Sequence, residues 1–532
     1  METNRRTRRF GWAVLGGERR RGALGAFCAL AGSLLLACSG CGPEVEIERS
    51  PVRHAGGHFQ GLVVGASEPD GAFVVAQHEL APGDDEVVVV SLADDEQRIC
   101  SLGNAFFYHT PGYTRAFADV GNPRPARILT IEGDVGAESG DLRIFDASCV
   151  ELMRVPSVEA PVQAVDLWPL EAYAARTTSG EVVKIDPWAG SVQTIATNAS
   201  FWQFKGDHFW LVEGGSLVVR DRDGEIVQTA GEGVTEVAVS IWGEEAAYVD
   251  ATGLWVLKPG DPGPIAVPTT GAPCKPVFAF ENSPHRLTYR DDCAAGVLGV
   301  LDRATGETRL FSTGVTHLFA FHDGSKSPWV FFEREEPGKK RELWAVPEAG
   351  EPVFVGTNPK PGWFVWNWRT KDFLIDLDHD GATSTLGKWS PEGGFSPVLE
   401  GFWEPWEGVT AGHFPTITDP QGELGTLVVL DTATMAEALR VPGVRREKWR
   451  DFQKMRVLNE VELQVFDYVH DWDDTLGAGT LTTWIPETGE QIDIDTGVSE
   501  SSSLLWPEHG VVYAVRTPER AGLWTAYPYS GL

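Results

Sequence analysis

Arg286-Leu-Thr-Tyr-Arg-Asp-Asp292 opens a unit of sequence that recurs along the chain. The unit continues through an acidic or glycine-rich loop into Gly299-Val-Leu-Asp-Arg-Ala-Thr-Gly-Glu307 and ends at Gly314-Val315. Its apolar segments have the length of β-strands, and the glycine of Thr-Gly-Glu can take the positive φ that a tight hairpin needs. A later copy contains Gly479-Thr-Leu-Thr-Thr-Trp484. The pattern predicts a series of consecutive antiparallel hairpins.

About eleven such units fit between residues 59 and 532. Their spacing of roughly 43 residues is typical of the four-stranded blades of a β-propeller. The sequence therefore predicts an all-β fold, a β-propeller. Because eleven blades exceed the usual four to eight, we expect two tandem propellers, one in residues 56–275 and the other in residues 276–532. One large or irregular propeller is the alternative.

These units resemble the Tol-associated, WD-repeat-like and pyrroloquinoline-quinone-type propeller repeats of bacterial exported proteins. The resemblance extends over most of residues 59–532 and implies the propeller fold. The Gly-His and Trp-Asp signature of true WD repeats is absent from the sequence, and Trp does not regularly end the final strand as it does in quinone-binding repeats. The resemblance therefore implies neither a cofactor nor an enzymatic role.

The N-terminal segment has the composition of an export signal. Residues 1–21 contain seven arginines, and residues 22–37 form an uncharged run of 16 residues rich in Leu, Ala and Gly. A bilayer-spanning helix needs about 20 apolar residues, so this run predicts the core of a signal peptide.

Leu35-Leu36-Ala37-Cys38 resembles the bacterial lipoprotein box, in which the cysteine is lipidated and becomes the first residue of the mature protein. This resemblance implies a signal peptide over residues 1–37, lipidation of Cys38, and a flexible tether over residues 38–55. In the Gram-negative lipoprotein family, Ser39 in place of Asp implies delivery to the outer membrane. An ordinary signal peptide followed by a fortuitous cysteine is the alternative.

The net negative charge of the chain limits the classes of molecule that it can bind. Without residues 1–37, the chain has 37 basic and 74 acidic side chains. Such a surface repels the phosphates of nucleic acids and the headgroups of anionic lipids. The composition therefore excludes nucleic-acid binding as a main role and favours a cation or a basic partner, without specifying a protein or a glycan as the ligand.

Four cysteines lie beyond the lipidation region, and an exported location permits disulfides between them. Cys274 and Cys293 are only 19 residues apart, which favours their pairing. Cys100 and Cys149 are then left as the second pair.

Asp376-Leu-Asp378-His-Asp380-Gly381 is the sharpest local motif. Three carboxylates at alternating positions before a glycine are typical of the start of a calcium loop, in which hard oxygens surround the ion. The twelfth position is Gly387 where such loops have Glu, and Asp-Gly is also a hairpin signal. Calcium binding by Asp376, Asp378 and Asp380 is one interpretation, a solvated turn is the other, and no further cofactor is indicated.

Sister units have acidic residues at the same point, between their second and third strands. In a propeller these loops lie on one face, so they predict a negative face on the C-terminal half. The carboxylates concerned are Asp291, Asp292, Glu335, Glu336, Asp378, Asp380, Asp471, Asp473 and Asp474.

The sequence contains no Gly-x-Ser-x-Gly elbow, no His-Glu-x-x-His and no phosphate loop, so no catalytic residue is assigned. Tryptophans at strand positions, such as Trp344, Trp389 and Trp484, are expected to pack between blades. The resulting prediction is a lipid-anchored extracytoplasmic protein of the cell envelope, at the outer membrane or cell surface, whose propeller is a non-catalytic binding or scaffolding module. The alternatives are an exported enzyme that uses paired carboxylates on extracellular polymer or peptide, and a calcium-dependent adhesion module.

Overall fold

The computed structural model describes most of the chain after residue 50. The described ranges are 51–67, 71–81, 84–92, 99–103, 105–109, 125–132, 139–164, 172–240, 243–278, 286–302, 305–312, 314–319, 330–336, 338–347, 350–360, 364–367, 372–405, 412–445, 453–458, 461–503 and 510–526. The predicted signal peptide, Cys38 and residues 38–50 of the predicted tether lie outside them. The chain from Arg49 to Leu532 forms one compact unit.

The structure is all-β: every regular element within the described ranges is a strand. In chain order the strands are β1 (Val52–Gly56), β2 (His58–Ser67), β3 (Gly71–Ala81), β4 (Asp84–Ser91), β5 (Ile99–Gly103), β6 (Ala105–His109), β7 (Ile128–Glu132), β8 (Ser139–Phe145), β9 (Glu151–Ala164), β10 (Tyr173–Thr177), β11 (Val182–Asp186), β12 (Ser191–Ala196), β13 (Ala199–Lys205), β14 (His208–Glu213), β15 (Ser216–Asp221), β16 (Ile226–Ala230), β17 (Glu236–Val239), β18 (Ala246–Asp250), β19 (Gly253–Leu257), β20 (Ile265–Val267), β21 (Cys274–Phe278), β22 (Arg286–Asp292), β23 (Val297–Asp302), β24 (Glu307–Ser312), β25 (Val315–Phe319), β26 (Val330–Arg334), β27 (Glu342–Val346), β28 (Val353–Thr357), β29 (Phe364–Asn367), β30 (Asp372–Leu377), β31 (Ser384–Ser390), β32 (Gly394–Pro405), β33 (His413–Gln421), β34 (Leu424–Asp431), β35 (Glu437–Arg445), β36 (Gln453–Leu458), β37 (Val461–Asp473), β38 (Ala478–Ile485), β39 (Glu490–Ser503), β40 (Val511–Val515) and β41 (Gly522–Ala526). Among the described residues, no helix is long and apolar enough to cross a membrane.

The strands form antiparallel sheets in chain order. Five sheets have four strands each, namely β2–β5, β13–β16, β17–β20, β21–β24 and β25–β28. Three have seven strands, namely β6–β12, β29–β35, and β36–β41 together with β1. In each of these three, one long strand (β9, β32 or β39) pairs along its first part with the preceding strand and along its second part with the following one.

Dividing the seven-stranded sheets at these long strands gives eleven four-stranded units. We number them blades 1–11, from blade 1 (β2–β5) to blade 11 (the second part of β39, then β40, β41 and β1). The count agrees with the repeat spacing of the sequence, and the consecutive four-stranded meanders are the blades of a β-propeller.

Each blade buries its faces against its neighbours. One apolar cluster joins blades 1 and 2, another joins blades 2 and 3, and the series continues without a break to blades 10 and 11. The last cluster joins blade 11 to blade 1, where Val512 and Leu523 pack with Phe59 and Val74. The blades of the compact unit therefore form one closed ring.

The ring closes through the first strand of the chain. β1 is the outermost strand of blade 11, where Val52 pairs with Thr525 and Gly56 with Gly522. Ala55 of β1 is fully buried in the cluster that joins blades 11 and 1. Gly57, which follows β1, donates its backbone N–H to the carbonyl of Ala521 at 3.2 Å, so β1 is held in one blade with the C-terminal strands β40 and β41.

A carboxylate joins the innermost strands of the same two blades. The backbone N–H groups of Gly61 and Leu62 donate to Glu500 at 2.8 and 3.4 Å. Pairing of β2 with β3 shifts register between Gln60 and Val63, and Gly61 has a φ of 65°. The carboxylate of Glu500 thus accepts hydrogen bonds from the backbone N–H groups that the bulge turns away from the pairing of β2 with β3.

The packing of the ring bears on two details of the domain organisation expected from the sequence. Packing continues across residues 275 and 276, because Val249 and Val267 of blade 5 contact Leu287 and Tyr289 of blade 6. In the described part of the chain the packing is therefore continuous across the expected boundary, as in the single large propeller given as the alternative. Residues 52–55, predicted as tether, belong to β1, because the outer position of blade 11 requires a fourth strand.

The antiparallel strand order gives the ring two faces. One face carries the loops between second and third strands together with the blade-to-blade links, and we call it the link face. It includes residues 251–252, 293–296 and 378–383. We call the opposite one the turn face, and it includes residues 187–190, 222–225 and 432–436. Since β1 runs antiparallel to β41, it begins at Val52 on the turn face and ends on the link face.

Closure by β1 can be tested with a pair of variants on this strand. Ala55→Asp places an unpaired carboxylate in the cluster between blades 11 and 1, so we expect the free energy of unfolding to fall by about 3 kcal/mol or more. Val52→Asp is the matched control, because Val52 is 49% exposed, and we expect a change within about 0.5 kcal/mol. Urea unfolding followed by tryptophan fluorescence measures both. Equal effects of the two substitutions would contradict closure by β1.

Candidate functional site

The three carboxylates of the predicted calcium loop occupy blade 8, where the chain leaves β30. Asp376 is fully buried, whereas Asp378 and Asp380 are exposed. Asp380 Oδ1 accepts the backbone N–H groups of Ala382 and Thr383 at 2.9 and 2.8 Å. These bonds close a tight turn, in which Asp380 takes the place of a backbone acceptor.

The structure does not bring the three carboxylates together. Asp378 has a φ of 56°, which turns the chain out of the strand and directs it away from the buried side chain of Asp376. Asp378 Oδ1 instead accepts a hydrogen bond from the Thr357 hydroxyl at 3.1 Å. In the described ranges no group of three or more His, Cys, Asp or Glu side chains is placed to hold a metal ion. The geometry of this loop is that of a hairpin turn.

Asp376 has an unusual environment. Burial raises the pKa of Asp376 to about 6, and the nearby Ser384 hydroxyl and Lys360 ammonium offset only part of that rise. Within the described part of the chain, neither carboxylate oxygen has a partner that meets hydrogen-bond geometry. Asp376 is therefore a buried acid that ionises close to neutral pH.

Blade 7 has a second buried carboxylate at the equivalent register position. Glu333 lies opposite Leu343 in its blade, as Asp376 lies opposite Leu386. Its Oε2 atom is 3.4 Å from Arg341 Nη1, and burial raises the pKa of Glu333 although Arg341 opposes the rise. The sequence did not single out this residue, because an acidic loop pattern does not distinguish a buried strand end from an exposed turn.

The other predicted loop carboxylates also lie at the link-face ends of their blades, but their roles differ. Asp291 is fully buried, and its Oδ1 accepts the backbone N–H of Thr270 at 3.0 Å. Asp292 and Asp473 each cap a turn by accepting backbone N–H groups that follow them. The exposed carboxylates that remain on the link face are Glu335, Asp378, Asp471 and Asp474.

Two disulfides join the four cysteines. Cys100 of β5 in blade 1 is bonded to Cys149 in a turn of blade 2, with a Cα–Cα distance of 5.8 Å. This confirms the pairing and adds a covalent link between two blades. Cys274 and Cys293 are likewise joined, with a Cα–Cα distance of 6.0 Å, within blade 6 on the link face.

An open groove between blades 6 and 7 is a feature that the sequence did not indicate. Its cavity volume is about 310 Å³. Three aromatic residues of blade 7, Phe332, Trp344 and Phe354, are cross-strand neighbours on β26, β27 and β28. The exposed fraction rises along this row, from 0% at Phe332 to 47% at Phe354. The complete lining consists of Leu310, Phe311, Phe332, Arg334, Trp344, Glu351 and Pro352.

The tryptophans therefore divide into two groups. Trp389 and Trp484 are buried between blades, as predicted for packing residues. Trp344 is only partly buried and borders the groove. Trp344 and Trp389 both lie in apolar third strands, so the sequence does not show which of them borders a groove and which is buried. Their positions relative to the neighbouring blades decide this.

Comparisons with known proteins give remote structural similarities. No protein-family model matches the chain, and no curated protein sequence matches it. The solved structure of the dihydro-heme d1 dehydrogenase NirN in complex with DHE is 16% identical over 57% of this chain and 71% of its own, with a TM-score of 0.34. BamB from Moraxella catarrhalis is 13% identical over 59% of this chain and 97% of its own, with a TM-score of 0.30.

The β-propeller domain of Cps50 (Swd1) from Myceliophteria thermophila is 14% identical over 49% of this chain and 90% of its own, with a TM-score of 0.27. Similarities this remote say nothing about function. The class of the protein, an all-β propeller, follows from its own strand order and packing.

The buried carboxylate of blade 8 predicts a pH dependence of stability. Because the pKa of Asp376 rises from 3.8 to about 6 on folding, its burial costs nothing below pH 3.8, and the cost accumulates as pH rises from 3.8 to 6 and is complete above 6. Asp376→Asn removes an effect of about 3 kcal/mol at pH 8. We therefore expect this variant to be more stable than the wild type at pH 8, with a difference that falls to about 1 kcal/mol at pH 4.5.

Urea unfolding at intervals between pH 4.5 and 8 measures this difference. Asp380→Asn is the control from the same blade, because backbone N–H groups lower the pKa of Asp380 and its charge is constant over that range. If the free energy of unfolding changed with pH in the same way for the wild type and Asp376→Asn, the raised pKa assigned to Asp376 would be contradicted.

Proposed function

We propose that the chain is a lipid-anchored extracytoplasmic protein whose single-ring propeller serves as a non-catalytic binding or scaffolding module. The observation behind the proposal is the point at which the chain enters the ring. Val52, the first residue of β1, is only 14 residues after Cys38. A flexible chain of that length spans about 20 Å, so a lipid on Cys38 holds the ring next to the bilayer.

The entry point also gives the ring an orientation in this proposal. Val52 lies on the turn face at the outer edge of blade 11, so the tether approaches the ring from that side. The link face, with its exposed carboxylates, then points away from the membrane. This orientation avoids repulsion between those carboxylates and anionic headgroups and presents them to a partner in solution, for which a basic surface is the best match.

Binding without chemistry is supported by what the polar side chains do. Of the predicted loop carboxylates, Asp291, Asp292, Glu336, Asp380 and Asp473 are engaged in turns, in ion pairs or in buried positions, and four others remain exposed on the link face. The Cys100–Cys149 disulfide joins blades 1 and 2, and β1 joins the packing of blades 11 and 1, so that neighbouring blades are held in a fixed arrangement. Such a rigid frame suits a protein that positions other molecules at the cell surface.

The lipid anchor is tested by fractionating cells that express the full chain with Cys38→Ser. We expect the wild type in the membrane fraction and the variant in the soluble fraction, because a diacylated cysteine supplies most of the membrane affinity. Cys41→Ser is the matched control and should remain with the membranes. A Cys38→Ser variant that still sediments with membranes, and that metabolic labelling shows to lack lipid, would contradict the proposal.

A further inference from the structure

The groove between blades 6 and 7 differs from the next gap around the ring. Between blades 7 and 8, Phe331 packs against Phe373 and Trp389 with ring centroids 4.7 and 5.7 Å apart, and the three side chains fill the gap. Between blades 6 and 7, the row of Phe332, Trp344 and Phe354 faces blade 6 across the open groove. Aromatic surface therefore remains accessible between blades 6 and 7.

The groove has defined ends. On the blade 6 side, the Arg309 guanidinium donates to the carbonyls of Gly350 and Pro347 at 2.9 and 2.8 Å and stacks over Phe311. This contact bridges the two blades. At the other end, Arg334 lies over the Trp344 ring and pairs with Glu342.

Local charge distinguishes the groove from the rest of the surface. The chain has 76 acidic and 44 basic residues, yet the groove is lined by one cation, Arg334, and one anion, Glu351. Arg334 also pairs with Glu336 and Glu342.

We propose that this groove binds a short neutral glycan. The inference deepens the proposed binding function and rests on it. A sugar ring has an apolar C–H face and a polar edge of hydroxyl groups, and the groove offers the matching pair of surfaces. Phe354, whose exposed ring adjoins the groove beside the lining residue Trp344, contacts the apolar face together with the part of the Trp344 indole that Arg334 leaves uncovered. The Glu351 carboxylate and the Arg334 guanidinium hydrogen-bond to the hydroxyls.

Size and charge favour this occupant over the other classes. A volume of about 310 Å³ is at the lower end of the range for small-ligand sites and suits one to a few sugar units. A balanced set of charges gives no net attraction to an anionic polysaccharide or to a basic peptide. An extended peptide needs side-chain pockets at alternate positions along a strand, whereas the groove has one cavity of about 310 Å³.

The test is a glycan array probed with the full chain in lipid nanodiscs, followed by titration calorimetry with the strongest neutral hit. The array holds oligosaccharides of two to four units built from neutral hexoses, N-acetylhexosamines or uronic acids. We expect binding to neutral members and weaker binding to uronic acids. Loss of aromatic contact in Phe354→Ala or Trp344→Leu should weaken the titrated hit about tenfold each.

Ile265→Ala is the matched control, because Ile265 is 59% exposed on the outer strand of blade 5, away from the groove. It should bind like the wild type, and thermal unfolding should show Phe354→Ala to be as stable as this control. No neutral hit, a preference for uronic acids, or binding unchanged in both groove variants would overturn the glycan proposal.

Titration with the neutral peptide acetyl-Leu-Ser-Phe-Ser-Leu-amide gives a further decisive outcome. The groove would be a peptide site, and the glycan proposal would be overturned, if the peptide bound, if Phe354→Ala weakened that binding, and if no neutral glycan bound. None of these results depends on the fractionation of Cys38→Ser, so failure here is distinguishable from failure of the proposed lipid-anchored module.

Discussion

The structure depends on the burial of both faces of every blade against its two neighbours. A four-stranded antiparallel sheet on its own leaves two apolar faces in water, so a blade is stable only as a member of a series. A linear series would still expose one face at each end, and closure of the ring removes both. Here closure is achieved by Ala55 and the other residues of β1, which complete blade 11 with the first strand of the chain.

Closure has consequences beyond stability. Because β1 comes directly after the predicted tether, the point at which the chain enters the ring lies at the outer edge of blade 11 on the turn face. The packing of blades 6 and 7 leaves a groove beside the partly exposed Trp344 of blade 7.

The sequence predicted those features that depend on local pattern. The all-β class, the count of eleven units and the Cys100–Cys149 pairing all follow from strand-length apolar runs, turn signals and cysteine spacing. A single ring could not be distinguished from two, because that depends on the angle between sheets, which is a property of packing. The carboxylates of the Asp376 loop look like a calcium site in sequence, and only the positive φ of Asp378 shows that they diverge. Trp344 and Trp389 occupy similar strands, yet one borders a groove and the other fills the core.

The most direct test of the central claim is single-particle cryo-electron microscopy of the full chain in lipid nanodiscs. The account predicts one ring of eleven radial sheets around a single opening, with density for β1 on the outer edge of the blade that contains the C-terminal strands. Two separate rings, or a ring whose last blade lacks the N-terminal strand, would contradict it.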